Sequence, residues 1–251
     1  MAEIIHIERP GLTDQVASRL RTLLIEGRIA PGAKLNERVL AEQLRVSRTP
    51  LREAIKLLAL EGLVDLLPNR GAVAVKLGEA DIVNAFEVLA GLEALSGQFA
   101  AQRISDAELD ELRALHYEML AAYARRDLSN YYRLNAAIHA GINAAAKNPV
   151  LAVTYARLNA RVQALRFRTN QNEAKWKRAV AQHEQMIDAL DARDAERMGR
   201  VMVAHVHDKL DTVLGLLRAG EIYPADTTAP NSLRSRPPRG AQAARGGPAP
   251  A

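Results

Sequence analysis

Six histidines are spread over a chain of 251 residues that has no cysteine: His6, His116, His139, His183, His205 and His207. Imidazole is the commonest nitrogen ligand for zinc, nickel and similar ions, so their chemistry depends on which of them converge. Asn135 and His139 are four residues apart, and on a helix both project from one face. His183 and His205 fall in later segments that also read as helices. A helical bundle can gather such groups around a common interior and form a metal site there. Taken singly, a histidine is more often a surface or satisfied core group, and that reading is kept for His6, His116 and His207. His207 follows His205 by two positions and points away from its face.

A second constellation lies in "VSRTPLREAIKLLALEGLV", residues 46–64. Its buried stripe is Leu51, Ala54, Ile55 and Leu58, an ordinary amphipathic helix. Two arginines, a serine and a threonine crowd its start, although the helix dipole favours anions there. DNA would supply the missing anion. Arg48 and Arg52 can meet phosphates or bond bidentately to guanine O6 and N7. The hydroxyls of Ser47 and Thr49, with free backbone N–H groups at a helix start, suit phosphate oxygens. Arg38, on the preceding segment, can reach the same backbone or groove. In "PNRGAVAV" Gly71 lets the backbone approach a duplex, and Arg70 can enter the minor groove or bind phosphate. The competing reading has Arg48 and Arg52 as solvated charges paired with Glu53 or Glu61.

These side chains must be positioned by two unlike halves. The first reads as three helices and a hairpin. Thr13 to about Glu26 has apolar residues at helical spacing and ends at Gly27. The turn "RIAPGAKLN" follows, broken by Pro31-Gly32. Asn36 is placed to cap "ERVLAEQLR", with Val39, Leu40 and Leu44 inward. Thr49 is expected to cap the third helix, with Pro50 at its first position and Gly62 past its end. Two short strands surround Pro68–Gly71, with Val73 and Val75 alternating. Three helices and a β-ribbon make a winged helix-turn-helix, whose third helix lies in the major groove.

From about Glu79 to Leu217 the spacing predicts helices at 79–102, 106–126, 128–146, 149–171, 173–192 and 194–217, an antiparallel six-helix bundle. The expected fold class is therefore mainly α. The expected divisions are 1–77 for DNA binding, 78–222 for effector binding and dimerisation, and 223–251 as a disordered tail poor in large apolar residues.

Charge follows the same division. Residues 1–78 hold 12 Lys/Arg against 9 Asp/Glu, residues 79–223 hold 18 against 19, and the tail holds 4 against 1. A basic head on a near-neutral body is compatible with nucleic-acid binding. Without cysteine there is no disulfide framework and no thiolate metal site. No run approaches the ~18 apolar residues of a membrane span, and the N-terminus lacks an apolar signal core. A cytoplasmic, membrane-free protein is expected.

Residues 12–76 resemble the DNA-binding domain of the GntR family of bacterial transcription regulators. The resemblance is carried by "PGAKLNERVLAEQLRVSRTPLREAIKLLALEGLV" and by the wing "NRGAVAV". It implies a homodimer on an inverted repeat in double-stranded DNA. By position, Arg38, Arg48, Thr49, Arg52, Arg70 and Gly71, with Ser47 as a weaker candidate, match the family's DNA-contacting places. Residues 79–217 resemble the FCD ligand-binding domain of the FadR subfamily, through "NAAIHAGINAAAKNP", "AQHEQMIDALDARD" and "RVMVAHVHDKLDTVL". Six helices place it with the shorter, VanR-like branch. The resemblance implies a divalent metal, zinc or nickel, on Asn135, His139, His183 and His205. Asn135 stands where aspartate is the commoner ligand, so the ion would keep its full charge and welcome an anion. In "FEVLAGLEALSGQFAA", Leu89 and Ala90 occupy places where many relatives carry an arginine that could face a carboxylate effector. Arg166 and Arg168 are candidates to replace it.

The expected function is a ligand-responsive, sequence-specific transcription regulator of metabolic genes, in the sense of a repressor, modulated by a small organic acid. Two alternatives are a metal-dependent helical-bundle enzyme and an architectural DNA-binding protein without effector. Against the enzyme, there is no HExxH, GxSxG or Walker loop, and the Glu-x-x-His spacing of di-iron bundles occurs only at Glu3–His6.

Overall fold

Leu12–Ile25 (α1), Glu37–Leu44 (α2) and Arg48–Leu60 (α3) enclose the first core, with the strands Lys34–Leu35 (β1), Val64–Leu67 (β2) and Gly71–Ala74 (β3) against them. The computed structural model describes residues 11–68, 71–168 and 173–223, with the side chains of residues 168 and 173–175 outside that description. Leu20, Leu40, Leu51, Ala54 and Leu58 are buried at the centre of this core. Asn36 caps α2 by accepting from Val39 N at 3.2 Å.

Three details differ from expectation. The turn after α1 contains a strand, β1, because Lys34 and Leu35 pair with Val73 and Ala72. The sheet therefore has three antiparallel strands in the order β1-β3-β2. A two-residue strand is too short to show alternation in sequence. On β3 the inward face is Ala72 and Ala74, while Val73 and Val75 are half-buried. At α3 the cap is Ser47, with φ −71° and ψ 165°, rather than Thr49. Helical geometry starts at Arg48, and Pro50 sits third. It is tolerated there because the first four N–H groups of a helix have no intrahelical acceptor.

The bundle comprises Glu79–Arg103 (α4), Asp106–Ala124 (α5), Leu128–Ala145 (α6), Pro149–Arg168 (α7), Glu173–Asp191 (α8) and Ala195–Arg218 (α9). The breaks other than that between α7 and α8 have local causes. Ser105 and Glu108 form a reciprocal capping box at α5, and Asp127 and Asp194 cap α6 and α9. Arg126, Lys147 and Arg193 take left-handed conformations (φ 56°, 51° and 53°) that end the preceding helices. The α4–α9 pair is the most extensive contact in the bundle. There Gly97 lets the helices close, since a Cβ would come within 2.9 Å of Met198 Cγ.

The first core rests on the bundle through α7. Ala160 packs against it, and Arg161 Cγ lies 2.7 Å from where a Cβ of Gly62 would stand. Gly62 also has φ +77°, so both conformation and space require glycine at the end of α3. The connection into α4 is held by Tyr223, whose hydroxyl accepts from Leu77 N at 3.3 Å and donates to Leu77 O at 3.2 Å. Among the described residues, no helix is long and apolar enough to cross a membrane. Residues 1–10, with His6 and the Glu3–His6 spacing, lie outside the described residues, as does 224–251, almost all of the expected tail.

Candidate functional site

His139 on α6, His183 on α8 and His205 on α9 meet inside the bundle, with ring centroids 5.1–5.2 Å apart in every pair. One ligand nitrogen from each lies within 4.8 Å of the others. All three rings are buried, and Asn135, one turn before His139, is buried with them. The helical stripe Tyr131, Leu134, Asn135, Ile138, His139 and Ile142 faces inward as one surface, which turns Asn135 and His139 to the interior together.

The buried donor atoms have no other partner among the described residues that accounts for them. Asn135 Oδ1, both nitrogens of His183 and Nε2 of His139 and His205 are buried without a hydrogen-bond partner among the described residues. Buried polar atoms are normally satisfied. A divalent ion would satisfy several of these at once, and imidazole with an amide oxygen suits zinc or nickel. The residues therefore fit the group that the resemblance implies.

A further layer of polar groups stands behind these side chains. His205 Nδ1 stands 2.9 Å from Gln182 Oε1. An amide oxygen only accepts, so Nδ1 carries the proton and Nε2 keeps its lone pair for a metal. Gln182 Nε2 in turn donates to Asp208 Oδ2 at 2.5 Å. Glu93 on α4 is buried, with Oε1 accepting from Arg166 Nη1 at 2.8 Å. Its Oε2 lies 3.1 Å from His139 Nδ1, in ion-pair range but off the angle of a hydrogen bond. The signal for Glu93 was its place among the apolar positions Ile82, Phe86, Leu89 and Ala90 of the buried stripe of α4, where a carboxylate is out of character.

Burial works to raise the Glu93 carboxyl, but the Arg166 guanidinium and the His139 ring more than reverse this and hold it at about 2. His183 and His205 are driven well below the ordinary histidine value, first by burial and then by neighbouring rings and cations. Both are neutral at pH 7, the form that binds metal. Lys209, one turn past His205 and also buried, is lowered to about 7 by burial and by Arg166.

A cavity of about 740 Å³ opens beside His139, lined by Asn135, Asn143, Tyr155, Arg166 and residues farther out. A second one, about 130 Å³, touches His205, Gln182 and Lys209. Arg166 was expected as an effector contact. It does line the larger cavity, but its guanidinium is already bonded to Glu93 and to Asn159. The side chain of Arg168 lies outside the described residues. Leu89 and Ala90 are buried in an apolar cluster with Tyr155 and Leu165 and offer no charge. His207 is exposed, away from His205. His116 is buried with Nδ1 lacking a partner among the described residues, so it is neither a surface group nor fully satisfied.

At the other end of the chain, Arg38, Ser47, Arg48, Thr49, Arg52 and Gly71 are all exposed. The Ser47 hydroxyl makes no capping bond, and the first turn of α3 has no acidic residue. Arg52 pairs with Glu37 at 2.7 Å, not with Glu53 or Glu61, and Arg38 pairs with Glu42 at 3.2 Å. Glu53 binds Lys56, and Glu61 binds Arg21. Exposed pairs of this kind are weak and readily exchanged for phosphate. Gly71 has φ +84° at the start of β3, and Arg70 lies outside the described residues.

Comparison with known proteins adds to this geometry. The family description "Bacterial regulatory proteins, gntR family" matches residues 12–73, and "FCD domain" matches residues 84–208. The chain is 26% identical over 202 residues to the HTH-type transcriptional repressor RspR of Escherichia coli (strain K12), covering 80% of this chain and 89% of the relative. It is 27% identical over 218 residues to the gluconate operon transcriptional repressor of Bacillus licheniformis, covering 83% and 86%. Among solved structures it is similar to E. coli McbR/YncC, with a TM-score of 0.74, 22% identity, and coverage of 82% of this chain and 99% of that one.

Proposed function

The chain belongs to the GntR family of bacterial regulators, with an FCD domain after its DNA-binding domain, and on that premise we propose a homodimeric repressor whose hold on DNA is set by a metal-bound carboxylate. The observation that carries this reading is the convergence of His139, His183 and His205 beside a cavity large enough for a small molecule, which Asn135 and His139 line. Asn135 and the three imidazoles would hold a zinc or nickel ion. When bound, that ion would supply a positive charge and open positions for an anion. The donors nearest it are neutral, and the Glu93 carboxylate is engaged by Arg166, so an organic acid is the complementary ligand.

Arg38, Ser47, Arg48, Thr49, Arg52, Arg70 and Gly71 are assigned to the DNA face. Two such faces in a dimer would read an inverted repeat, whose half-site spacing must match that of the two α3 helices. Effector binding favours one arrangement of the helical domains and so changes the affinity for the operator.

The test is calorimetric titration of candidate acids into metal-loaded and chelated protein. Affinity that depends on the metal supports the reading, and equal affinity in both samples removes the metal from effector binding. Binding selection on random duplexes tests the DNA half: an enriched inverted repeat is expected, and its absence would favour an architectural DNA binder.

A further inference from the structure

The cavity that starts at Asn135 and His139 does not end inside the bundle. Its outer wall belongs to the DNA-binding domain, where Leu57 and Leu60 close α3 and the Arg21–Glu61 ion pair stands beside them. Leu60 is 77% exposed and Leu57 36%. Between the two ends runs a floor of small side chains from α6 and α7, including Ala136, Ala140 and Ala156. One end is therefore polar and metal-competent, and the other is apolar with a charged rim. A two-carbon acid takes roughly the room of two waters, about 60 Å³. A volume near 740 Å³ leaves most of the space to the rest of a larger ligand.

We propose that this cavity contains a second subsite in the seam between the two domains, formed by Leu57 and Leu60 against the alanines of α7, which takes the apolar body of a carboxylate effector. The inference rests on the carboxylate reading above and adds the class of acid and the route of its effect. The effector is an acid with an alkyl or aryl body several carbons long. Its head lies at the metal end and its body lies between the domains.

The route follows from α3. Arg48 and Arg52 stand at its exposed start, and Leu57 and Leu60 lie at its other end in the seam. Close by, Ala160 and Arg161 of α7 hold the DNA-binding domain to the bundle. A ligand touching both walls binds according to how the domains are docked. By linkage, docking on DNA then depends on the ligand to the same degree.

The experiment uses the full chain loaded with zinc. Acetate, butyrate, hexanoate and 3-phenylpropionate are titrated into wild type, Ala156→Phe and Leu60→Ser. Both substituted positions are exposed, and zinc content is checked in each variant. A buried methylene is worth about fourfold in affinity, so hexanoate should bind at least about tenfold tighter than acetate. Ala156→Phe should remove that gain and Leu60→Ser should reduce it, with acetate affinity and zinc content unchanged. Acetate binding with no gain along the series, or a gain that survives both substitutions, overturns the subsite and leaves the carboxylate reading intact. Failure of every acid to bind overturns the carboxylate reading, and the subsite with it.

Discussion

Arg166 Nη1 donates to Glu93 Oε1 at 2.8 Å, a buried ion pair that ties α7 to α4. Desolvating both charges costs more than an exposed pair would, and removing one partner strands the other. Glu93→Gln should therefore lower the unfolding free energy by about 3 kcal/mol, within the range for broken buried pairs. Glu93→Leu combined with Arg166→Met should cost less than Glu93→Gln alone, because no charge is left behind. Urea unfolding measures both, and equal midpoints for wild type and Glu93→Gln would show that the pair is solvated in solution.

His183 has no hydrogen-bond partner at either nitrogen among the described residues, and the proposed ligand role would supply one. In His183→Ala, metal content after purification without chelator should fall by about tenfold or more, as expected when an ion loses one of its direct ligands. Circular dichroism should still show a helical protein. Gln182→Ala tests the neighbouring group, which holds His205 Nδ1 and would act on a bound ion only through that ring. It should weaken metal binding by about 10-fold to 100-fold. Full occupancy in both variants would take the cluster out of metal chemistry.

Arg52 and Arg48 should separate by what they read. If Arg52 leaves Glu37 for a guanine edge, Arg52→Ala costs about 1–3 kcal/mol and relaxes one base position in the selected repeat. Arg48→Ala, at the helix start, should weaken all sequences alike and reduce the salt dependence of binding by about one phosphate contact. Glu37→Gln should leave specificity intact and tighten binding slightly, since Arg52 then gives up no partner. A flat response to Arg52→Ala across all base positions would reassign it to phosphate.

Most of the frame could be read from the sequence because its signals are local. Apolar spacing placed every bundle helix within a few residues, and Asn36, Asp127 and Asp194 cap where short polar residues precede a stripe. What escaped depends on pairing between distant segments. β1 exists only because Lys34 and Leu35 lie beside β3. Ser47 displaced Thr49 as the cap through backbone conformation, which residue type does not determine. At the site, the imidazoles of His139, His183 and His205 were legible, and the groups that tune them were not. Glu93 finds Arg166 across 73 residues, and Gln182 finds His205 across 23. Even so, a glutamate inside the apolar stripe of α4 was a visible warning.

The buried titratable groups divide the pH dependence of metal-free protein into separate windows. His183 and His205 have folded-state values well below 6.5, so below pH 6.5 the unfolded chain binds protons that the native state refuses. Their contribution is full above pH 6.5 and is lost as pH falls below it, by up to about 1.4 kcal/mol per pH unit for each ring. Lys209, lowered from 10.5 to about 7, acts in a higher window, with stability declining as pH falls from about 10.5 to 7 and no further loss below. Thermal melts of chelated protein from pH 5 to pH 10 should show both slopes. Lys209→Met should abolish the alkaline slope and leave the acidic one. Added zinc should raise the melting temperature without removing the acidic slope, because that slope is set by protons the unfolded chain takes up, and a bound ion only keeps the native nitrogens unprotonated to lower pH. A melting temperature that stays flat between pH 5 and 6.5 in the chelated protein would show that these histidines are exposed to solvent and hence not the closed cluster described above.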